Sequence, residues 1–146
     1  MTNSTRDDCV SALLVGEYEN DRMFLHGIFR DAGWRLWEAA DRSRALDCLN
    51  SHPVHVVISE KDGPRWHWKR VLSDLRALTR PPQLIVTSRT ADDYLWAEVL
   101  NVGGYDVLPQ PFDRDEVERV VAGARRHFEQ CLAKGRFEPP LAMGAA

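Results

Sequence analysis

The residues best placed to do chemistry in this chain stand just past short apolar runs. Gly16-Glu17 follows Ala12-Leu13-Leu14-Val15, and Ser59-Glu60 follows His55-Val56-Val57-Ile58. Thr87-Ser88 follows Gln83-Leu84-Ile85-Val86, and Pro109-Gln110 follows Val107-Leu108, with Pro111-Phe112 next. Glu17, Glu19, Glu60 and Asp62 offer hard oxygen ligands of the kind that hold a divalent cation, and Gly16 leaves space for water. The plainer reading, a solvated acidic rim, is preferred. Ser59 and Ser88 lack the elbow motif and triad context of a hydrolase. No G-x-G-x-x-G or phosphate-binding loop motif is present. His26, His52, His55, His67 and His127 show no metal spacing.

Positioning those residues requires the apolar runs to be strands. Ala12–Val15 is continuously apolar, as in a strand covered on both faces. Asn20 or Asp21 is expected to cap a helix with Leu25, Ile28, Phe29 and Ala32 at helical spacing, ended by Gly33. Trp34–Glu38 reads as a second strand, and Asp41 as the cap of a short helix burying Ala45, Leu46 and Leu49. The third strand is Val54–Ser59, rich in β-branched residues. A helix over about residues 66–78 presents Leu72, Leu75 and Leu78. After Pro81-Pro82, Gln83–Thr87 forms a fourth strand. Thr90 then caps a helix with Asp93 in its first turn and Leu95, Trp96, Val99 and Leu100 as its stripe. Gly103-Gly104 stops it before a fifth strand, Tyr105–Leu108. Asp113 and Glu116 resemble a capping box opening a last helix with Val117, Val120, Val121, Ala124 and Phe128 in register. Its acidic start and its Arg125-Arg126-His127 segment both suit the helix dipole.

Strands alternating with helices imply a doubly wound five-stranded parallel sheet with five helices, of flavodoxin-like α/β type. In such a sheet ligands sit beyond the C-terminal strand ends, where Glu17, Glu60, Thr87 and Gln110 fall. The domain is expected over 11–133, between a disordered segment 1–10 and a flexible tail 134–146 carrying Pro139-Pro140.

With 146 residues, 44% hydrophobic and 28% charged, the chain fits one ordinary globular domain. Its net charge of -3 argues against nonspecific nucleic-acid binding. The aromatic-basic cluster Arg65-Trp66-His67-Trp68-Lys69-Arg70 is therefore read as packing, with Trp66 or Trp68 lidding the site as a rival. No apolar run approaches the roughly 18 to 20 residues of a membrane helix, and the N-terminus carries no secretory signal. Cys9, Cys48 and Cys131, odd in number and far apart, fit reduced thiols in a cytoplasm.

Two stretches resemble the receiver domain of two-component response regulators: His55–Glu60 with Pro64 four residues later, and Val107-Leu108-Pro109-Gln110-Pro111-Phe112 before Asp113. In that family an aspartate ends the third strand, a proline usually follows four residues on, and Lys-Pro-Phe follows the fifth. The resemblance spans about residues 11 to 130. It places Glu60 at the phosphoacceptor position, Thr87 at the switch hydroxyl and Gln110 at the lysine. Glu17 falls at the second acidic position and Gly16 at the first, which removes one carboxylate. A cis bond before Pro111 is implied as well. One extra methylene at Glu60 shifts its carboxylate by about an ångström, a displacement that costs on the order of a hundredfold in rate.

The resemblance thus implies a single-domain, degenerate response regulator, not an enzyme, that works through protein contacts and requires no cofactor. Glu60 is either a permanent charge near the phosphoryl position or a solvated carboxylate in a site that no longer switches. The contact face implied is the fourth helix, fifth strand and fifth helix, with Tyr94, Trp96 and Tyr105 on or near it. It would meet a histidine kinase, an output protein or a second copy of the chain. One rival reading is a working magnesium-dependent phosphoreceiver using Glu17 and Glu60, with Asp62 as a further metal ligand. The other is a flavodoxin-like module binding a small ligand between Gln110, Thr87 and the Trp66 region.

Overall fold

The computed structural model describes residues 9–18, 20–63 and 66–135. Among them, β1 (Ser11–Val15), β2 (Arg35–Ala39), β3 (Val56–Glu60), β4 (Gln83–Ser88) and β5 (Asp106–Pro109) form one parallel sheet ordered β2-β1-β3-β4-β5. Between and after them run α1 (Arg22–Ala32), α2 (Arg42–Ser51), α3 (Trp68–Arg76), α4 (Asp93–Asn101) and α5 (Arg114–Ala133). This is the doubly wound flavodoxin-like architecture that the alternation of runs implies. Most of the expected N-terminal segment, Glu19, Pro64, Arg65 and the tail beyond Gly135 lie outside the described residues. Val10 does not: it is fully buried, and its carbonyl accepts from the Arg35 N–H, so the packed structure begins inside the segment expected to be disordered.

The strands read as unbroken apolar runs because both faces of the sheet are covered. Successive side chains alternate between two cores. Leu13, Val15, Val57, Val86 and Val107 face α2, α3 and α4, where Ala45, Leu72, Leu75, Leu95 and Val99 are buried. Ala12, Leu14, Val56, Ile58, Ile85 and Leu108 face α1 and α5, meeting Leu25, Ile28, Phe29, Val117, Val121 and Ala124. Truncating one of these large side chains to alanine costs about 2–5 kcal/mol, so the strand ends are held on a stiff support.

Several local expectations fail for identifiable reasons. Trp66-His67 is not the first turn of α3 but pairs with Asp62-Gly63 as a short antiparallel ribbon. Gly63 permits this, since a Cβ there would stand 2.5 Å from the Trp66 ring. The His67 side chain then caps α3 by accepting from the Lys69 N–H at 3.2 Å. Trp66 and Trp68 are both buried in the core, so these rings pack. Asp92, not Thr90, caps α4 by accepting from the Leu95 N–H at 2.9 Å, while Thr90 hydrogen-bonds Ser88. Leu100, next to buried Val99 and a hundred degrees round the helix, is 51% exposed and lies off the apolar stripe. Ala32 is exposed at the end of α1, and Leu46 and Leu49 are only partly buried. Other signals hold: Gly33 ends α1 with φ 75°, Asp41 caps α2, and Asp113 caps α5 through the Glu116 N–H at 3.0 Å.

His55 secures the pole opposite the strand C-termini. Its Nδ1 accepts from the Ser11 N–H at 3.0 Å, and its ring meets Phe128 edge-on at 5.3 Å between centres. Burial, with the Arg125 charge adding to it and Glu129 opposing it, pushes the imidazole from 6.5 down to about 4. The unfolded chain takes up this proton below about 6.5 and the folded chain only below about 4. Stability is therefore lost as pH falls through that window. The urea midpoint should fall across it, and His55→Asn should flatten the slope relative to wild type; an identical slope in the variant would contradict the assignment.

Candidate functional site

Register lines up the strand ends. Val15 pairs with Ser59 across β1 and β3, Glu60 pairs with Thr87 across β3 and β4, and Ser88 pairs with Pro109 across β4 and β5. Gly16, Glu60, Thr87 and Gln110 thereby stand side by side at the C-terminal edge, where the crossovers leave a crevice. Sequence order alone puts them at four separate loops; the parallel register makes them one site.

The side chains of Glu60, Thr87 and Gln110 each have a partner within the chain. The Glu60 carboxylate bends back over β1, where Oε1 accepts from the Glu17 N–H at 3.2 Å and the neighbouring Tyr18 N–H also favours its charged form. Gly16 makes room for this. Its φ is 138°, and a Cβ there would stand 2.6 Å from Glu60 Oε1. Burial pushes the Glu60 carboxyl above the ordinary glutamate range, against the pull of those N–H groups; Glu17 adds repulsion and Arg89 opposes it. Thr87, 1% exposed, shares a hydrogen bond of 2.6 Å with the hydroxyl of Tyr18, itself 3% exposed. Gln110 donates from Nε2 to Asp21 Oδ2 at 2.7 Å, and Arg89 reaches the same oxygen at 3.1 Å. Across the Gln110-Pro111 bond, the peptide is cis.

Asp21 therefore has a different job from the one its position suggests. It precedes α1, but its backbone is helical (φ -101°, ψ -10°) and its side chain makes no cap. The carboxylate turns to Gln110 and Arg89 instead. Tyr18, Asp21 and Arg89 are site residues that pattern reading passes over. A single bulky aromatic in the polar loop Gly16-Glu17-Tyr18 is the signal that could have found the first of them.

The carboxylates expected to attract a cation do not gather as a group among the described residues. Gly16 supplies no oxygen, Glu60 is turned onto backbone N–H groups, and Glu17 and Asp62 are exposed. Glu19 lies outside the described residues. Among the described residues no three His, Cys, Asp or Glu side chains gather to hold a metal ion.

The three aromatics expected on the contact face part company. Tyr94 on α4 is 87% exposed. Trp96 is partly buried and donates from Nε1 to Asp106 at 2.9 Å, and Tyr105 is partly buried against His127. Leu100 and Val102 are exposed at and just past the end of α4. No described helix is long and apolar enough to cross a membrane.

The strand order and the helix cover on both faces are those of the receiver fold. No protein-family model matches the chain. Among curated proteins it is similar to the sporulation initiation phosphotransferase F of Bacillus subtilis (strain 168), 21% identical over 109 residues, which cover 75% of this chain and 88% of that one. Its structural neighbours include receiver domains. One is the signal receiver domain of an HD domain-containing protein from Pseudomonas fluorescens Pf-5, with 25% identity, a TM-score of 0.73, and coverage of 84% of this chain and 91% of that one. Another is the receiver domain of the Saccharomyces cerevisiae response regulator Ssk1, solved with the histidine phosphotransfer signaling protein Ypd1. It shares 12% identity at a TM-score of 0.69, covering 78% of this chain and 87% of that one.

Gly16→Ala tests the geometry of this site. A side chain there meets both an unfavourable φ and the Glu60 carboxylate, and the substitution should cost about 1–3 kcal/mol by urea denaturation. In a Glu60→Ala background the cost should shrink, because only the backbone strain remains. Equal costs in both backgrounds would show that Glu60 does not occupy that space.

Proposed function

We propose that this chain is a receiver-type signalling domain that works without phosphoryl transfer. It presents one fixed conformation to a partner protein and catalyses nothing. The observation that carries this reading is the Glu60 carboxylate, held by the Glu17 and Tyr18 N–H groups in the space left by Gly16. A nucleophile must be free to approach a phosphoryl donor in line, with cations nearby to offset the charge that develops. Glu60 is engaged elsewhere, Gln110 has no charge and is taken up by Asp21, and Gly16 offers no metal ligand. The Glu60 carboxylate is also a fixed part of the chain, and held in this way it favours one of two switch states with no kinase needed.

Recognition then falls to the face of α4, β5 and α5. There Tyr94, Leu100 and Val102 are exposed, and an exposed aromatic is a favoured anchor for a protein partner. A histidine kinase, an output protein of the same pathway or a second copy of the chain would suit it.

Calorimetric titration with magnesium and then beryllofluoride, a mimic of a receiver's phosphoryl group, tests the reading. The expected result is no saturable binding of either. Saturable, magnesium-dependent binding that Glu60→Ala abolishes would overturn it and restore a phosphate-responsive switch.

A further inference from the structure

Tyr18 is the residue of this site that neither the resemblance nor the sequence pattern assigns. It is buried, yet it sits in a loop, and its φ of 43° lies in the left-handed region that non-glycine residues avoid. Such a conformation persists only where the surroundings over-determine it. Three interactions do so here. The Tyr18 N–H favours the charged form of the neighbouring Glu60 carboxylate. Its carbonyl accepts from the Asp21 and Arg22 N–H groups at 3.2 and 2.9 Å, which starts α1. Its hydroxyl meets Thr87 Oγ1 at 2.6 Å.

Burial raises the phenol well above its ordinary range, with the neighbouring Glu60 and Asp21 charges acting in the same direction, so it stays protonated. The ring lies tilted beside Phe112 at 6.2 Å between centres, which anchors it to the β5–α5 loop as well. Arg89, two residues after Thr87, adds an exposed second link through Asp21. Exposed ion pairs contribute little, so the Tyr18–Thr87 bond is the stronger of the two.

We infer that Tyr18 is an internal stand-in for the phosphoryl group: its hydroxyl occupies the hydrogen-bonding position over Thr87 and ties the start of α1 to the β4–α4 segment. This rests on the reading that the site works without phosphorylation and names what sets its state instead. Tyr18 is a positioning residue. It acts on the partner face only through Thr87 and the segment leading into α4.

Hydrogen exchange by mass spectrometry on the full chain tests the tie, comparing wild type with Tyr18→Phe, Thr87→Val and the double variant. Losing one buried hydrogen bond should speed exchange over 87–95 several-fold, up to about tenfold, in each single variant. The double variant should exchange no faster than either single one, and the α5 segment 117–124 should keep its wild-type rate. Unchanged exchange over 87–95 in Tyr18→Phe would overturn the inference. So would effects that add in the double variant, or an equal rise in α5, which would make Tyr18 merely structural. Adding magnesium and beryllofluoride to wild type separates the two claims. Protection gained there counts against phosphorylation-independent action, whereas an unaltered Tyr18→Phe profile counts against the tie.

Discussion

A half-buried carboxylate must be matched by hydrogen-bond donors or it loses its charge, and at this strand edge the donors are backbone N–H groups one strand away. The hold that the Glu17 and Tyr18 amides exert on Glu60 organises much of what surrounds it. It requires a residue without a side chain at position 16, and it fixes the loop in which Tyr18 adopts positive φ. It also fills the space where a first acidic side chain would bring a cation. The rest of the site follows from that choice. Asp21 pairs with Gln110 and Arg89, and the Thr87 hydroxyl is satisfied by a phenol.

The arrangement stays consistent because the scaffold beneath it is stiff. β1 is buried along its whole length, and both cores continue through β3 and β4. Close-packed layers of this kind leave discrete arrangements at the strand ends instead of a continuum. Under the proposed function, a site built on neutral and backbone hydrogen bonds exchanges responsiveness for permanence. A covalent phosphoryl group comes and goes, whereas a glutamate held by its own backbone is a fixed part of the chain.

Much of this was legible in the sequence where chemistry is local. Apolar runs covered on both faces revealed β1, β3 and β4, and Gly33, Asp41 and Asp113 marked helix ends through their own backbone geometry. Glu60, Thr87 and Gln110 could be aligned because each lies at the end of a strand or directly past it. What escaped depended on distant partners. An aspartate before a helix reads as a cap, and only Gln110, far along the chain, reveals that Asp21 points elsewhere. Trp66-His67 reads as the opening of a helix until Gly63 offers a flat surface for the indole. Tyr18 carried no periodic signal, since its partners are Thr87, Phe112 and Glu60.

The most direct measurement is a magnetic-resonance pH titration following the Glu60 side-chain carboxyl together with the Glu17 and Tyr18 amide protons, with and without excess magnesium. A carboxylate held by its own backbone predicts that all three signals move together, with one midpoint above the ordinary glutamate range that magnesium leaves unchanged. A midpoint lowered by magnesium, or amide signals indifferent to the carboxyl's titration, would contradict it, because Glu60 would then be facing a cation or the solvent.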